Sequence, residues 1–177
     1  MNIEWERKKL VLFTKVGVII LSCLALFISS FFYIPQTVDT LSRGISEKEL
    51  PIYCVDQKEP KISLSFDAAW GNEDTRTILS ILKKHDVKVT FFMTGGWVEK
   101  YPDDVKAIVQ DGHDLGNHSE NHKQMSQLSA QECEKELMSV HEKVKTLTGV
   151  EMELFRPPFG DYNDNLINLC KEIGYHV

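Results

Sequence analysis

Apolar positions along this chain follow two regimes. Residues 16–34 read VGVIILSCLALFISSFFYI, nineteen positions without a charge, close to the ~20 that carry a helix across a hydrocarbon layer. A helix apolar on every face for about five turns would need a large core around it to belong to a globular body. The pattern therefore predicts one transmembrane helix over 16–34, with residues 1–15 as its flank.

Beyond Pro35 the pattern changes. Residues 35–60 contain Pro35, Pro51 and Pro60 with no sustained period, which reads as a linker. A periodic body then begins at Lys61. KISLSFD (61–67) alternates apolar and polar and predicts a strand that Gly71 and Asn72 end. Ile78, Leu79, Ile81 and Leu82 recur at helical spacing within 73–85, and Lys83 and Lys84 sit where cations complement the helix dipole. VKVTFFM (87–93) predicts a second strand ended by Gly95-Gly96, and Pro102 opens a helix over 103–110. A weak strand over 113–117 follows, and Ser129-x-x-Glu132 caps a long helix to about Leu147 with Gly149 beyond it. Residues 153–156 form a strand stopped by Pro157-Pro158, residues 163–173 a helix closed by Gly174, and 175–177 the opening of a fifth strand.

Strict strand–helix alternation predicts an α/β domain over 61–177 with a parallel sheet, as a barrel or a doubly wound layer. Four complete units are too few to close a barrel of about 250 residues.

Charge orients the N-terminal segment. Arg7, Lys8, Lys9 and Lys15 precede the apolar run, whereas Arg43 and Lys48 follow it among Asp39, Glu47 and Glu49. Positive flanks stay on the cytoplasmic side, so the body is expected outside the cytoplasm, on an uncleaved anchor or after a cleaved signal peptide. A net charge of −6 argues against nucleic acid, whose binders concentrate Lys and Arg on one face. The four cysteines (Cys23, Cys54, Cys133 and Cys170) are widely spaced, with no Cys-x-x-Cys pair, and read as scattered thiols rather than a disulfide framework.

Three polar clusters each follow a predicted strand: SFDAAWG (65–71), HSENH (118–122) and RPPFG (156–160). In parallel βα folds such loops converge on one rim and build the active site there. His118 and His122, spaced as on one side of a helical turn, could share a first-row metal or be two loop histidines. Ser119 follows His118 where a zincin motif has its glutamate. Asp67 ends an apolar strand, where a carboxylate calls for a partner; it is a candidate base or a loop carboxylate. Arg156, stiffened by Pro157-Pro158, could present a fixed fork to Asp67 or a substrate, or lie free on the surface.

The three clusters, in this order, resemble the first three motifs of the NodB-homology polysaccharide deacetylases, carbohydrate esterase family four, and GHDLGNHS (112–119) and Thr90-Phe91-Phe92 also resemble that family. The resemblance covers about 61–177. It implies a distorted (β/α) barrel, here incomplete, that hydrolyses N-acetyl groups on amino-sugar polymers such as peptidoglycan. It further implies Asp67 as catalytic base, His118 and His122 as ligands of a divalent metal, usually zinc, and Arg156 as the residue orienting Asp67. Pro157, Pro158, Phe159 and Gly160 would form one wall of the substrate groove, where backbone after Pro158 could help hold the acetyl oxygen.

Two departures qualify this. Ala68 stands where the family's first motif has a metal-binding aspartate; Asp67 itself, a water, Glu73 or Asp74 could complete the coordination. The Asp-x-x-Trp-Gly variant resembles the sporulation-associated, membrane-anchored branch. The family's fourth and fifth motifs, the latter with a histidine acid, would lie beyond Val177, and His176 does not replace that histidine. Losing such an acid removes a factor of about a hundred to ten thousand, so the chain as given is expected to be inactive or weakly active. The alternatives are a membrane-tethered glycan-binding homologue without turnover and a damaged gene product.

Overall fold

The computed structural model describes Arg7, Leu12–Ser29 and residues 48–177, and the chain divides into two units, Met1–Glu47 and Lys48–Val177.

In the first unit, Leu12–Ser29 is one helix (α1), long and apolar enough to cross a membrane, a description that a signal sequence also meets. Leu12 and Phe13 continue the apolar pattern across Lys15; positions 30–34 of the expected span and 35–47 of the expected linker lie outside the described residues. None of its eighteen residues is buried. Its serines return their hydroxyl protons to the helix itself, Ser22 Oγ to the Val18 carbonyl at 2.8 Å and Ser29 Oγ to the Leu26 carbonyl at 2.9 Å, which removes polar groups that lipid could not satisfy.

The second unit is a parallel α/β domain. Its elements are β1 (Ser65–Ala68), α2 (Thr75–Lys84), β2 (Thr90–Met93), α3 (Gly95–Lys100), α4 (Pro102–Gln110), β3 (Asp114–Asn117), α5 (Ala130–Thr148) and α6 (Asp164–Glu172). The strands pair in parallel in the order β1-β2-β3, and single bridges Asn117–Phe155 and Leu154–His176 carry the order onward. The fourth and fifth expected strands are thus reduced to bridges. Among the described residues each segment lies beside its sequence neighbour, without the reversal of order that marks a doubly wound sheet.

β1 is shorter than its alternation predicts. Ile62 and Leu64 are exposed, so the apolar face of the pattern finds a core only from Phe66 onward. β2 stops at Met93 as expected, but α3 was not expected: Gly95-Gly96 opens a helix because Thr94 caps it, its hydroxyl accepting from the Trp97 amide at 3.3 Å. The predicted capping box is present, with Ser129 and Glu132 bonded reciprocally, and Gly149 ends α5 at φ 77. The helices close over one core in which Met93, Val105, Ile108, Leu137, Val140, Val144 and Cys170 are fully buried. Residues 48–54 lie against the same body: the Ile52 amide donates to the Val177 carbonyl at 2.7 Å, and the Tyr53 and Tyr162 hydroxyls meet at 3.1 Å.

Candidate active site

The register of the sheet sets the site. Ala68, Met93 and Asn117 occupy one rung at the C-terminal ends of β1, β2 and β3, and Phe155 bridges to Asn117 on that rung. The residue after each strand therefore emerges at one rim, and chain segments ninety residues apart meet.

Asp67 and Ser65 lie two apart on β1 and so share a face, and Arg156 reaches both. Its Nη1 donates to Asp67 Oδ1 at 2.6 Å and its Nη2 to Ser65 Oγ at 2.7 Å. The guanidinium lies on the Phe92 ring, 4.1 Å from its centroid, a cation–π contact that fixes its plane. Phe92 occupies that place because Gly116 beside it has no side chain: a Cβ there would stand 2.3 Å from the ring.

His118 is buried, and its Nδ1 lies 2.7 Å from the Arg156 carbonyl oxygen. With Nδ1–H donating to that carbonyl, the Nε2 lone pair is left free, the arrangement that orients ligand imidazoles. Burial pushes the His118 pKa down, against the opposing pull of that carbonyl and of Asp67, and favours the neutral, ligating form. His122 joins it with ring centroids 4.9 Å apart.

The two histidines are not on a helical turn, as the spacing suggested; among the described residues 118–122 is a loop. Ser119 and His122 adopt φ 63 and φ 52, and two side-chain bonds wind the loop there. Asn117 Oδ1 accepts from the Ser119 amide at 2.9 Å, and Ser119 Oγ accepts from the His122 amide at 3.0 Å. These local bonds replace the helical ladder. Glu136 of α5 holds the loop from behind, accepting from the Asn121 amide at 2.8 Å and its side chain at 2.9 Å.

Asp67, His118, His122, Arg156, Pro157, Phe159 and Gly160 all line one cleft of 760 Å³, together with Trp70, Phe92 and Tyr162. Pro158 does not line it: that ring is buried at the start of the 3-10 turn Pro158–Gly160. Glu73 and Asp74 line a separate cleft that shares Asp67 but neither histidine, so neither stands beside the imidazole pair. Among the described residues no group of three or more His, Cys, Asp or Glu is placed to hold a metal ion, in keeping with Ala68.

Sequence reasoning gave no role to Ser65, Phe92, Gly116 or Asn117. Period-two spacing from Asp67 was the available signal for Ser65. Asn117 is fully buried; its Nδ2 donates to the Leu137 carbonyl at 2.8 Å and to Tyr175 Oη at 3.1 Å while its Oδ1 turns the loop, and only cross-chain contacts reveal that.

Fold and site together define a parallel α/β protein with a carboxylate, a guanidinium and two imidazoles gathered at the carboxyl ends of its strands, a set suited to hydrolysis. The chain belongs to the polysaccharide deacetylase family, whose profile matches residues 55–177. It is 38% identical over 135 residues to the peptidoglycan-N-acetylmuramic acid deacetylase PdaA of Bacillus subtilis, covering 76% of this chain and 51% of PdaA. An uncharacterized 30.6 kDa protein of Geobacillus stearothermophilus is 44% identical over 124 residues, 70% of this chain and 47% of that protein. Among solved structures, a CE4 family pseudoenzyme from Bacillus anthracis superposes with TM-score 0.69 at 35% identity, over 72% of this chain and 45% of that one. The chain spans about half the length of these relatives or less.

Proposed function

We propose that this protein is a metal-assisted N-deacetylase of amino-sugar polymers, with peptidoglycan as its substrate class, held at the extracytoplasmic face of a membrane by α1. The fold supports an incomplete (β/α) barrel, through the unreversed order β1-β2-β3 and its two onward bridges. The observation that carries the reading is the clustering of Asp67, Arg156, His118 and His122 in one cleft.

A divalent ion fits the donor set in part. His118 offers Nε2 because Nδ1 is spent on a backbone carbonyl, and His122 stands beside it; a borderline ion such as zinc accepts two imidazoles, with water completing the shell. When bound, such an ion polarises the amide carbonyl and stabilises the oxyanion. Arg156 occupies Oδ1 of Asp67 and sets the plane of the carboxylate, so Oδ2 takes the proton from the attacking water. Water oxygen bonds to the acetyl carbon, the C–N bond breaks, and the proton held by Asp67 passes to the amine nitrogen. Acetate and a free amine result.

A second reading, a glycan-binding homologue without turnover, is favoured by Ala68 and by the pseudoenzyme among the similar structures. Calorimetric zinc titration of the full chain in detergent, paired with an acetate assay on N-acetylglucosamine oligomers, separates the two. His118→Ala and His122→Ala are expected to lose zinc binding, and Asp67→Asn to keep zinc and lose acetate release. Zinc binding with acetate release absent from the unaltered chain would favour the binding homologue.

A further inference from the structure

The cleft mouth carries two large aromatic side chains left in water. Trp70 is 78% exposed and Phe159 69% exposed, yet both rings approach the same imidazole edge-on, their centroids 5.0 Å and 4.7 Å from that of His122. Leaving such faces in water forgoes stabilisation of about 1.5–3 kcal/mol for a side chain of this size, and grouped exposed apolar surface in a cleft marks a ligand site.

The backbone behind them points the same way. Phe159 holds φ 60 and His122 φ 52, conformations that cost a non-glycine residue energy and that concentrate at functional sites. Phe159 is kept there by its neighbour Asp161, whose two carboxylate oxygens accept from the Ser126 hydroxyl at 2.7 Å and the Ser126 amide at 2.9 Å. Trp70 is presented by an equally anchored loop: Trp97 Nε1 donates to the Gly71 carbonyl at 2.7 Å, and Asn72 Nδ2 to Asp104 Oδ2 at 2.6 Å. Two exposed rings on pinned backbones are a preformed surface rather than loose side chains.

We infer that Trp70 completes, opposite the groove wall at Phe159, an aromatic clamp that receives one pyranose ring of the glycan. A pyranose has flat C–H faces, whose weakly positive hydrogens suit the negative face of an indole, and a polar edge. Stacked on Trp70, that edge turns toward Asp67, Arg156 and His122, which line the same cleft. The inference rests on the glycan reading above and adds the group that grips the sugar, independently of which bond is cut.

The test is calorimetric binding of three tetramers to the full chain in detergent: the N-acetylglucosamine tetramer, its fully deacetylated form, and cellotetraose. Trp70→Ala is expected to weaken all three by about tenfold, while Trp70→Phe, which keeps an aromatic face, stays within about threefold of the unaltered chain. Circular dichroism checks folding, which an exposed side chain scarcely influences. Unchanged binding by Trp70→Ala overturns the clamp, as does an unaltered chain that binds none of the tetramers. Tetramer binding that depends on Trp70 in a chain releasing no acetate supports the clamp and removes only the hydrolytic reading.

Discussion

Gly116→Ala is a one-carbon change that tests how the arginine is held. The added Cβ would lie 2.3 Å from Phe92 Cδ1 and 2.5 Å from Cε1, where carbon atoms need about 3.5 Å, so the ring retreats by roughly 1 Å. Phe92 has little room: it is 8% exposed, and the Arg156 guanidinium lies over its face. Overpacking of this kind costs about 1–3 kcal/mol, and removing a glycine returns about 0.4–1 kcal/mol through the unfolded chain. A net destabilisation of about 1–2 kcal/mol is expected. Urea unfolding of the full chain in detergent, followed by fluorescence, measures it beside Phe92→Ala and the double variant. Phe92→Ala alone leaves a cavity and costs about 3–5 kcal/mol. In the double variant the new methyl meets no ring, so the total falls short of additive by at least about 1 kcal/mol. A Gly116→Ala chain within 0.5 kcal/mol of the original, or strict additivity, would refute the packing argument.

Two further outcomes follow from the same contacts. Burial pushes the Glu136 carboxyl up, but the bonds from Lys123 and Asn121 outweigh it, so its folded pKa lies below the ordinary carboxylate value. The unfolded chain then binds more protons, and the stability that Glu136 supplies is full above the unfolded pKa and lost as pH falls through the folded one. Glu136→Gln should flatten the acid limb of urea midpoint against pH between about 3 and 5; a limb as steep as the original would place the dependence elsewhere. Arg156→Lys should lower acetate release at least tenfold with zinc affinity unchanged, because an ammonium cannot bridge Asp67 Oδ1 and Ser65 Oγ as the planar fork does. Activity equal to the original would remove Arg156 from the reaction.

The sequence carried the rim of the site better than the sheet beneath it. Asp67 lies near the end of β1 and His118 and Arg156 follow strand segments whose composition is legible locally, and parallel βα topology then brings them together whatever the strand lengths. The strands were overread because period-two alternation at Ile62 and Leu64 has no core to face, as their exposure shows. α3 escaped notice because a glycine pair usually stops a strand, and the Thr94 cap that outweighs it is visible only with the backbone in place. His118 and His122 come together for a different local reason than their spacing suggested: Asn117 and Ser119 side chains curl the loop where a helix was assumed. Ser65, Phe92 and Gly116 act through contacts across strands, which one sequence does not display.

The most direct test of the account is acetate release from N-acetylglucosamine oligomers by the full chain, with zinc added and with zinc removed by a chelator. The account predicts release that requires the metal and disappears in Asp67→Asn. Release that persists with chelator and survives Asp67→Asn would contradict it.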